Sequence, residues 1–316
     1  MAKWTDVGMA DKHILVFGEV TRDIIASTSD LAPIESVGLL SDITHAFGGR
    51  GANVALFASI SGLQSKLLSF VGKDFESAGC KTHLEKHGVD CNSMLVVEGQ
   101  TAQAFIFRNL GRATTYFYPG CALVDKATLS QLRQLIGQFN AEIVYCTSGI
   151  HEGNLQILAD SSHALRVYAP GPEIFHCSAE QLRSLLEVSD CVFLNEAESE
   201  EFLEKMKLNH IELNTAFDLS FHVVTRGEQG STIYEGNQEM LVRPCRPDRI
   251  ADETGAGDSY AGAFLAEFLR TGDLLRSGQF ASVVSSFVVE KVGCQTNIPT
   301  RENIKERDAE YLRGER

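Results

Sequence analysis

Nothing in this 316-residue chain forms an apolar run long enough to cross a bilayer. The stretch from Met1 to Lys12 has mixed charge and no apolar signal-peptide core, so a cytoplasmic protein is expected. Positive charge is scarce. Lys and Arg number 28 against 42 Asp and Glu, a net charge of −14, which argues against nucleic acid or an anionic membrane as partner. Any phosphate must then be recognised by local donors rather than by a global field. The eight cysteines include no C-x-x-C pair, and several, such as Cys146 and Cys191, lie in apolar strand-like runs. That pattern disfavours a zinc site or a disulfide frame and favours buried, reduced thiols. Internal repeats and low-complexity linkers are lacking too, so residues 1–316 read as one domain.

What the chain has instead is a change of period. His13–Gly18 is a short apolar run ending in glycine, read as a buried central strand, and Lys66–Gly72 reads as a second. Ser93–Val97, Ala102–Arg108 and Ala113–Tyr118 alternate polar with apolar, with 109–112 as a hairpin turn, and suit a parallel core poorly. From about residue 125, helical stretches (Ala127–Phe139, Ala179–Val188, Glu198–Lys207) alternate with short apolar strands (Ile143–Thr147, Leu165–Tyr168, Cys191–Leu194, Phe221–Thr225). An apolar helix over Ser282–Val292, stopped by Gly293, follows. The alternation predicts an α/β fold with a mostly parallel sheet covered on both faces. Its ligands belong at the carboxyl ends of the strands.

Asp252-Glu253-Thr254-Gly255-Ala256-Gly257-Asp258-Ser259-Tyr260 reads as a glycine-rich turn entering an apolar helix. A helix that starts here points free N–H groups and the positive end of its dipole at an anion, usually phosphate. Asp258 sits inside that ring. Held by N–H donors it is expected to stay ionised and to take a proton from a substrate hydroxyl. An anion hole beside a base is what phosphoryl transfer to an alcohol requires. The same local pattern also fits a tight turn that caps a core helix.

Three further places carry chemistry with an equally plain alternative. Asp23, after Gly18, accepts hydrogen bonds from a polyol or serves as a turn aspartate. Gly48-Gly49-Arg50-Gly51-Ala52-Asn53 lets a ligand approach the backbone, with Asn53 both donor and acceptor, or is a loop before a core helix. Asn195 and Glu198 share one face of a helix start. They hold phosphate and, through water, Mg²⁺, or they are a helix cap followed by first-turn acids.

The string Asp-x-Thr-Gly-Ala-Gly-Asp-Ser-Tyr-x-Gly resembles the second signature of the ribokinase (PfkB) family of carbohydrate and nucleoside kinases. Gly-Gly-x-Gly-x-Asn resembles its first, and Asn195-x-x-Glu198 and Val-Thr225-Arg-Gly227-x-x-Gly230 resemble its nucleotide motifs, all in the family's order over roughly residues 13–300. Glu253, Thr21 and Arg50 stand where relatives more often carry Thr or Ser, Asn, and Lys. The resemblance implies a three-layer α/β/α fold with a small β-sheet lid, formed by about 24–47 and 93–118. It implies Asp258 as catalytic base and Gly255, Ala256 and Gly257 as anion hole. Asp23, Thr21, Gly48, Gly49 and Asn53 would bind the acceptor, and Asn195, Thr225, Gly227, Gly230 and Gly293 would bind ATP. Glu198 would hold Mg²⁺ through water, and Asp252 with Asn297 would hold a monovalent cation such as K⁺.

Thr101–Phe107, Phe117–Gly120 and Gly293–Thr296 look most like the nucleoside-kinase branch, including archaeal-type members. The implied activity is transfer of the γ-phosphate of ATP to the 5′-hydroxyl of a ribonucleoside. The alternatives are a kinase of free ribose, fructose or a related polyol, and a non-catalytic sugar- or nucleotide-binding regulator on the same fold. The aromatics Phe105, Phe107, Tyr116, Phe117 and Tyr118 stack on a base, pack the lid's own face or meet a partner in a homodimer formed through the lid.

Overall fold

Strands buried on both faces need apolar side chains at every position, and the first one shows why. In the computed structural model Ile14 and Val16 enter one hydrophobic cluster while Leu15 and Phe17 enter another on the opposite face. The described residues are 12–33, 35–109, 112–122, 128–129, 131–132 and 139–316. Their strands, in chain order, are β1 His13–Phe17, β2 Thr21–Thr28, β3 Leu40–Gly48, β4 Gln64–Leu68, β5 Phe70–Val71, β6 Val89–Asp90, β7 Leu95–Val96 and β8 Ala102–Asn109. They continue with β9 Arg112–Tyr118, β10 Ile143–Cys146, β11 Leu165–Tyr168, β12 Cys191–Asn195, β13 Phe221–Thr225, β14 Ser231–Glu235 and β15 Gln238–Val242.

Among these residues the main sheet has nine strands in the order β15-β14-β13-β12-β11-β10-β1-β4-β6. Its strands pair in parallel from β6 to β13, and β14 and β15 add an antiparallel edge. The helices Arg50–Ile60, Ala256–Thr271, Leu274–Val288 and Arg301–Leu312 pack into one face. The helices His151–Asp160, Ala179–Leu186, Glu196–Met206 and His210–Phe217 cover the other. This is the mostly parallel α/β/α layering expected. No helix among the described residues is long and apolar enough to cross a membrane.

A separate four-stranded sheet, in the order β3-β2-β8-β9, has its own small core of Ile25, Ala104 and Ile106, packed against Val292. Ser93–Val97 does not join it, contrary to expectation. Leu95 and Val97 instead donate to the carbonyls of Ser69 and Val71, so β7 pairs with β5 in a two-stranded sheet. The expected strand Lys66–Gly72 is accordingly broken at Ser69 into β4 and β5.

The expected helix over Ser282–Val292 runs earlier, from Leu274 to Val288. Asp273 starts it by accepting from the Arg276 N–H, and the Asn297 amide takes the Phe287 carbonyl near its end. The expected helix Ala127–Phe139 and the turn at 110–111 fall mostly outside the described residues.

One close approach positions the site. The helix Ala256–Thr271 crosses Arg50–Ile60 at Gly262, where a Cβ would lie 2.6 Å from the Val54 carbonyl oxygen and 2.8 Å from the Ala58 nitrogen. Both neighbours are backbone, so neither can move aside cheaply. Gly262→Val is expected to cost about 1–3 kcal/mol, seen as a lower midpoint of urea unfolding.

Candidate functional site

The carboxyl ends of β1, β10, β11, β12 and β13 line one edge of the main sheet, and the two glycine-rich turns lie beside it. Gly49 precedes the helix Arg50–Ile60 with φ +96°, and a Cβ there would lie 2.4 Å from the Glu19 carbonyl oxygen. Gly255 precedes the helix Ala256–Thr271 with φ +77°, and a Cβ there would strike the Cys294 sulfur. Both positions therefore require glycine. They set two helix N-termini side by side, with Asn53 of one facing Asp258 of the other.

Asp258 Oδ2 accepts from Asn53 Nδ2 at 2.8 Å. This differs from the expected cradle of main-chain donors around the carboxylate. Asp258 is the third residue of its helix, and its carboxyl turns to the Asn53 amide of the neighbouring helix rather than back to the N–H groups of its own turn. The Ala256 N–H is spent on the Glu253 carbonyl at 3.2 Å. Gly257 and Asp258 itself belong to the first helical turn, whose N–H groups have no intrahelical acceptor and point out of its N-terminus.

The carboxyl is not held ionised either. Burial raises its pKa to about 7, with Glu198 and Glu19 adding to the rise and the Asn53 hydrogen bond and Arg50 opposing it. The side chain is nonetheless only partly covered. A carboxyl poised near neutrality is better suited to proton transfer than one fixed as an anion.

Arg50 carries more of the site than its sequence position suggested. Its guanidinium donates to the Pro170 carbonyl at 2.8 Å and pairs with Glu19 at 3.2 Å and Glu173 at 2.7 Å. Burial works against its charge, but Glu19, Glu173, Asp258 and Glu198 together raise its pKa further. Glu19 in turn accepts from the Gly149 N–H at 2.7 Å. This partly buried cation offsets the four carboxyl groups gathered around it. Glu19 and Glu173 follow β1 and β11 at their carboxyl ends, the one signal that could have marked them in advance.

Asp23 lies in β2, buried, accepting from Thr21 Oγ1 at 2.5 Å. Burial raises its pKa to about 6, against the Thr21 hydrogen bond and with a further push from Asp252. Gly48 on β3 makes room for its carboxyl group, and a cavity of about 170 Å³ opens beside Asp23, Ala46 and Phe47.

Asn195 and Glu198 form a reciprocal capping box on the helix Glu196–Met206. Asn195 Oδ1 accepts from the Glu198 N–H at 2.8 Å, and Glu198 Oε2 from the Asn195 N–H at 3.0 Å. Burial raises the Glu198 pKa, against that backbone bond and Arg50. Thr225 pairs in register with Asn195 on the neighbouring strand, and Gly227 faces open space. Gly230 instead closes its turn against the Val242 carbonyl. Asp252 accepts from the Thr254 N–H and hydroxyl on one oxygen and from the Gly293 N–H on the other. Asn297 donates to the Phe287 carbonyl.

Two helix N-termini, a carboxyl of raised pKa and a capped acidic turn on one sheet edge define a small-molecule kinase of ribokinase-like fold. Residues 11–301 match the profile of the pfkB family carbohydrate kinases, and the chain belongs to that family. A nucleoside kinase of Methanothermobacter thermautotrophicus is 32% identical over 95% of this chain and 97% of its own length. The crystal structure of the Methanocaldococcus jannaschii nucleoside kinase, an archaeal member of the ribokinase family, superposes with a TM-score of 0.85. It is 27% identical and covers 96% of this chain and 100% of that one. A Burkholderia thailandensis nucleoside kinase in complex with inosine shares the fold, with a TM-score of 0.84 at 22% identity over 95% of this chain and 98% of that one.

The folded chain keeps Asp258 protonated toward pH 7, whereas the unfolded chain ionises it near the ordinary value of 3.8. Between those values folding binds a proton, so this group lowers stability as pH rises. Asp258→Asn removes that penalty and is expected to stabilise the protein by about 1–3 kcal/mol at about pH 8, measured by thermal or urea unfolding.

Proposed function

We propose that this protein is an ATP-dependent nucleoside kinase that phosphorylates the 5′-hydroxyl of a ribonucleoside. The observation that carries the reading is the Asp258 carboxyl, poised near pH 7 at a helix N-terminus and electrostatically coupled to Glu198 on the same sheet edge. The relatives named as nucleoside kinases support a nucleoside over a free sugar.

The acceptor binds along Asp23, Gly48 and Gly49, and ATP lies along Asn195, Thr225 and Gly227 with Gly293 nearby. Asp258 takes the hydroxyl proton as the oxygen attacks the γ-phosphorus in line, the bond from that phosphorus to the β,γ-bridging oxygen breaks and ADP leaves, and the first-turn N–H groups of Gly257 and Asp258 receive the developing charge. Among the described residues no cluster of three acidic, His or Cys side chains frames a metal. Glu198 has one oxygen outside its capping bond, which fits Mg²⁺ held mostly by phosphates and water. Bound there, Mg²⁺ supplies charge neutralisation to the phosphates. Asp252 and Asn297 hydrogen-bond protein groups, the Gly293 N–H and the Phe287 carbonyl.

The cysteines are free thiols and mostly buried, in keeping with a cytoplasmic enzyme. Tyr116, Phe117 and Tyr118 are exposed on edge strand β9, and Leu40 and Ile43 on edge strand β3. We place a homodimer contact on this sheet, which Tyr116→Asp is expected to weaken in sedimentation experiments.

The test is ATP consumption across nucleosides, ribose, fructose and inositol. Turnover on nucleosides is expected, with Asp258→Asn lowering kcat by about 10²–10⁴-fold and KM changing little. Turnover on free hexoses only overturns the nucleoside assignment, and nucleoside binding without turnover favours a regulator.

A further inference from the structure

Behind the cleft, a line of polar groups runs from Asp258 into the protein. Asp258 accepts from Asn53 Nδ2 at 2.8 Å, and Asn53 Oδ1 accepts from Gln295 Nε2 at 2.8 Å. Asn53 and Gln295 are both buried, so neither amide is free to turn to water. Electrostatics fix the sense of the line. A carboxylate attracts an N–H and repels a carbonyl oxygen, so Asn53 must present its NH₂ to Asp258 and its oxygen to Gln295. Gln295 must then give its own NH₂ to Asn53 and turn Oε1 the other way. That oxygen is buried and has no hydrogen-bond partner within normal distance among the described residues. His83 Nε2 is in the same position, and its imidazole lies against the Gln295 amide. Two buried atoms of complementary type, each without a partner, thus belong to neighbouring side chains.

We propose that Gln295 and His83 are positioning residues, His83 donating to Gln295, which orients Asn53 so that Asp258 is held ready to accept the substrate's proton. This rests on the reading of Asp258 as the base. His83 can donate from Nε2 whether neutral or charged, so the line survives its titration. Burial, His87 and Lys86 lower the His83 pKa, Gln295 opposes them, and Phe47 of β3 packs on the ring at 4.9 Å. The charged groups that face Asp258 are Arg50, Glu198 and Glu19, with Tyr145 and Cys294 close by. The neutral substitutions Gln295→Ala and His83→Leu change none of these, so a shift in Asp258 titration in those variants reports the line itself.

The experiment is the pH profile of kcat/KM with ATP and a nucleoside, alongside carbon-13 NMR titration of the Asp258 carboxyl. Gln295→Ala frees Asn53 and is expected to move the acidic limb up by about one pH unit, a tenfold loss at low pH relative to the plateau. Gln295→Glu draws the Asn53 NH₂ away, adds negative charge and moves the limb further. His83→Leu shifts it in the same direction, and His83→Gln, which keeps a donor at similar reach, restores it. If Gln295→Ala does not fold, the His83 pair answers the same question. Folded variants whose limb and carboxyl titration match the wild type overturn the proposal. A wild type that phosphorylates no acceptor overturns the kinase reading instead, and the NMR titration then judges the line alone.

Discussion

The hydrogen bond between Asn53 and Asp258 joins the two halves of the site, and most of the architecture serves to make it possible. Each residue sits in the first turn of a helix whose start is a glycine at positive φ, Gly49 for one and Gly255 for the other. The helices approach closely because Gly262 lies against the backbone of residues 54–58. Both N-termini thus meet at the strand ends, where unpaired N–H groups and helix dipoles favour an anion. The bond is also a tuning element, since it opposes the burial that would otherwise push the Asp258 carboxyl higher still.

Around this pair the protein gathers more carboxyl groups than an anion site normally tolerates. Glu19, Glu173, Glu198 and Asp258 converge on one partly buried guanidinium, Arg50. Removing one partner of such a cluster leaves a buried charge uncompensated, a far larger cost than losing an exposed ion pair. Burial explains the raised pKa values of Asp258 and Glu198, and at Asp258 the neighbouring Glu198 and Glu19 add to the rise. A site poised this way favours an incoming cation, whose charge lowers the carboxyl pKa and leaves Asp258 ionised to accept a proton.

Much of this was legible in the order of residues. Strand runs such as Ile143–Cys146 and Phe221–Thr225 show as continuous apolar stretches because both faces are covered. The two glycine turns show because only glycine tolerates their backbone. What local pattern could not supply was contact across long separations. Gln295 meets Asn53 across 242 positions, and the two carboxylates paired with Arg50 follow two different strands. The carboxylate cradle expected from the turn alone is replaced by one long-range contact. The donor to Asp258 is the Asn53 amide, 205 positions away on the neighbouring helix, which no local pattern could supply. The misplaced strand at 93–97 has a similar origin, because alternation marks an exposed face but not which sheet owns it.

The most direct test is a crystal structure with a nucleoside and a non-hydrolysable ATP analogue bound together. The account requires the acceptor hydroxyl to lie about 2.6–3.2 Å from an Asp258 oxygen, with the γ-phosphate against the N-terminus of the helix Ala256–Thr271. An acceptor hydroxyl that approaches the phosphate from elsewhere, with Asp258 contacting Asn53 alone, would contradict it.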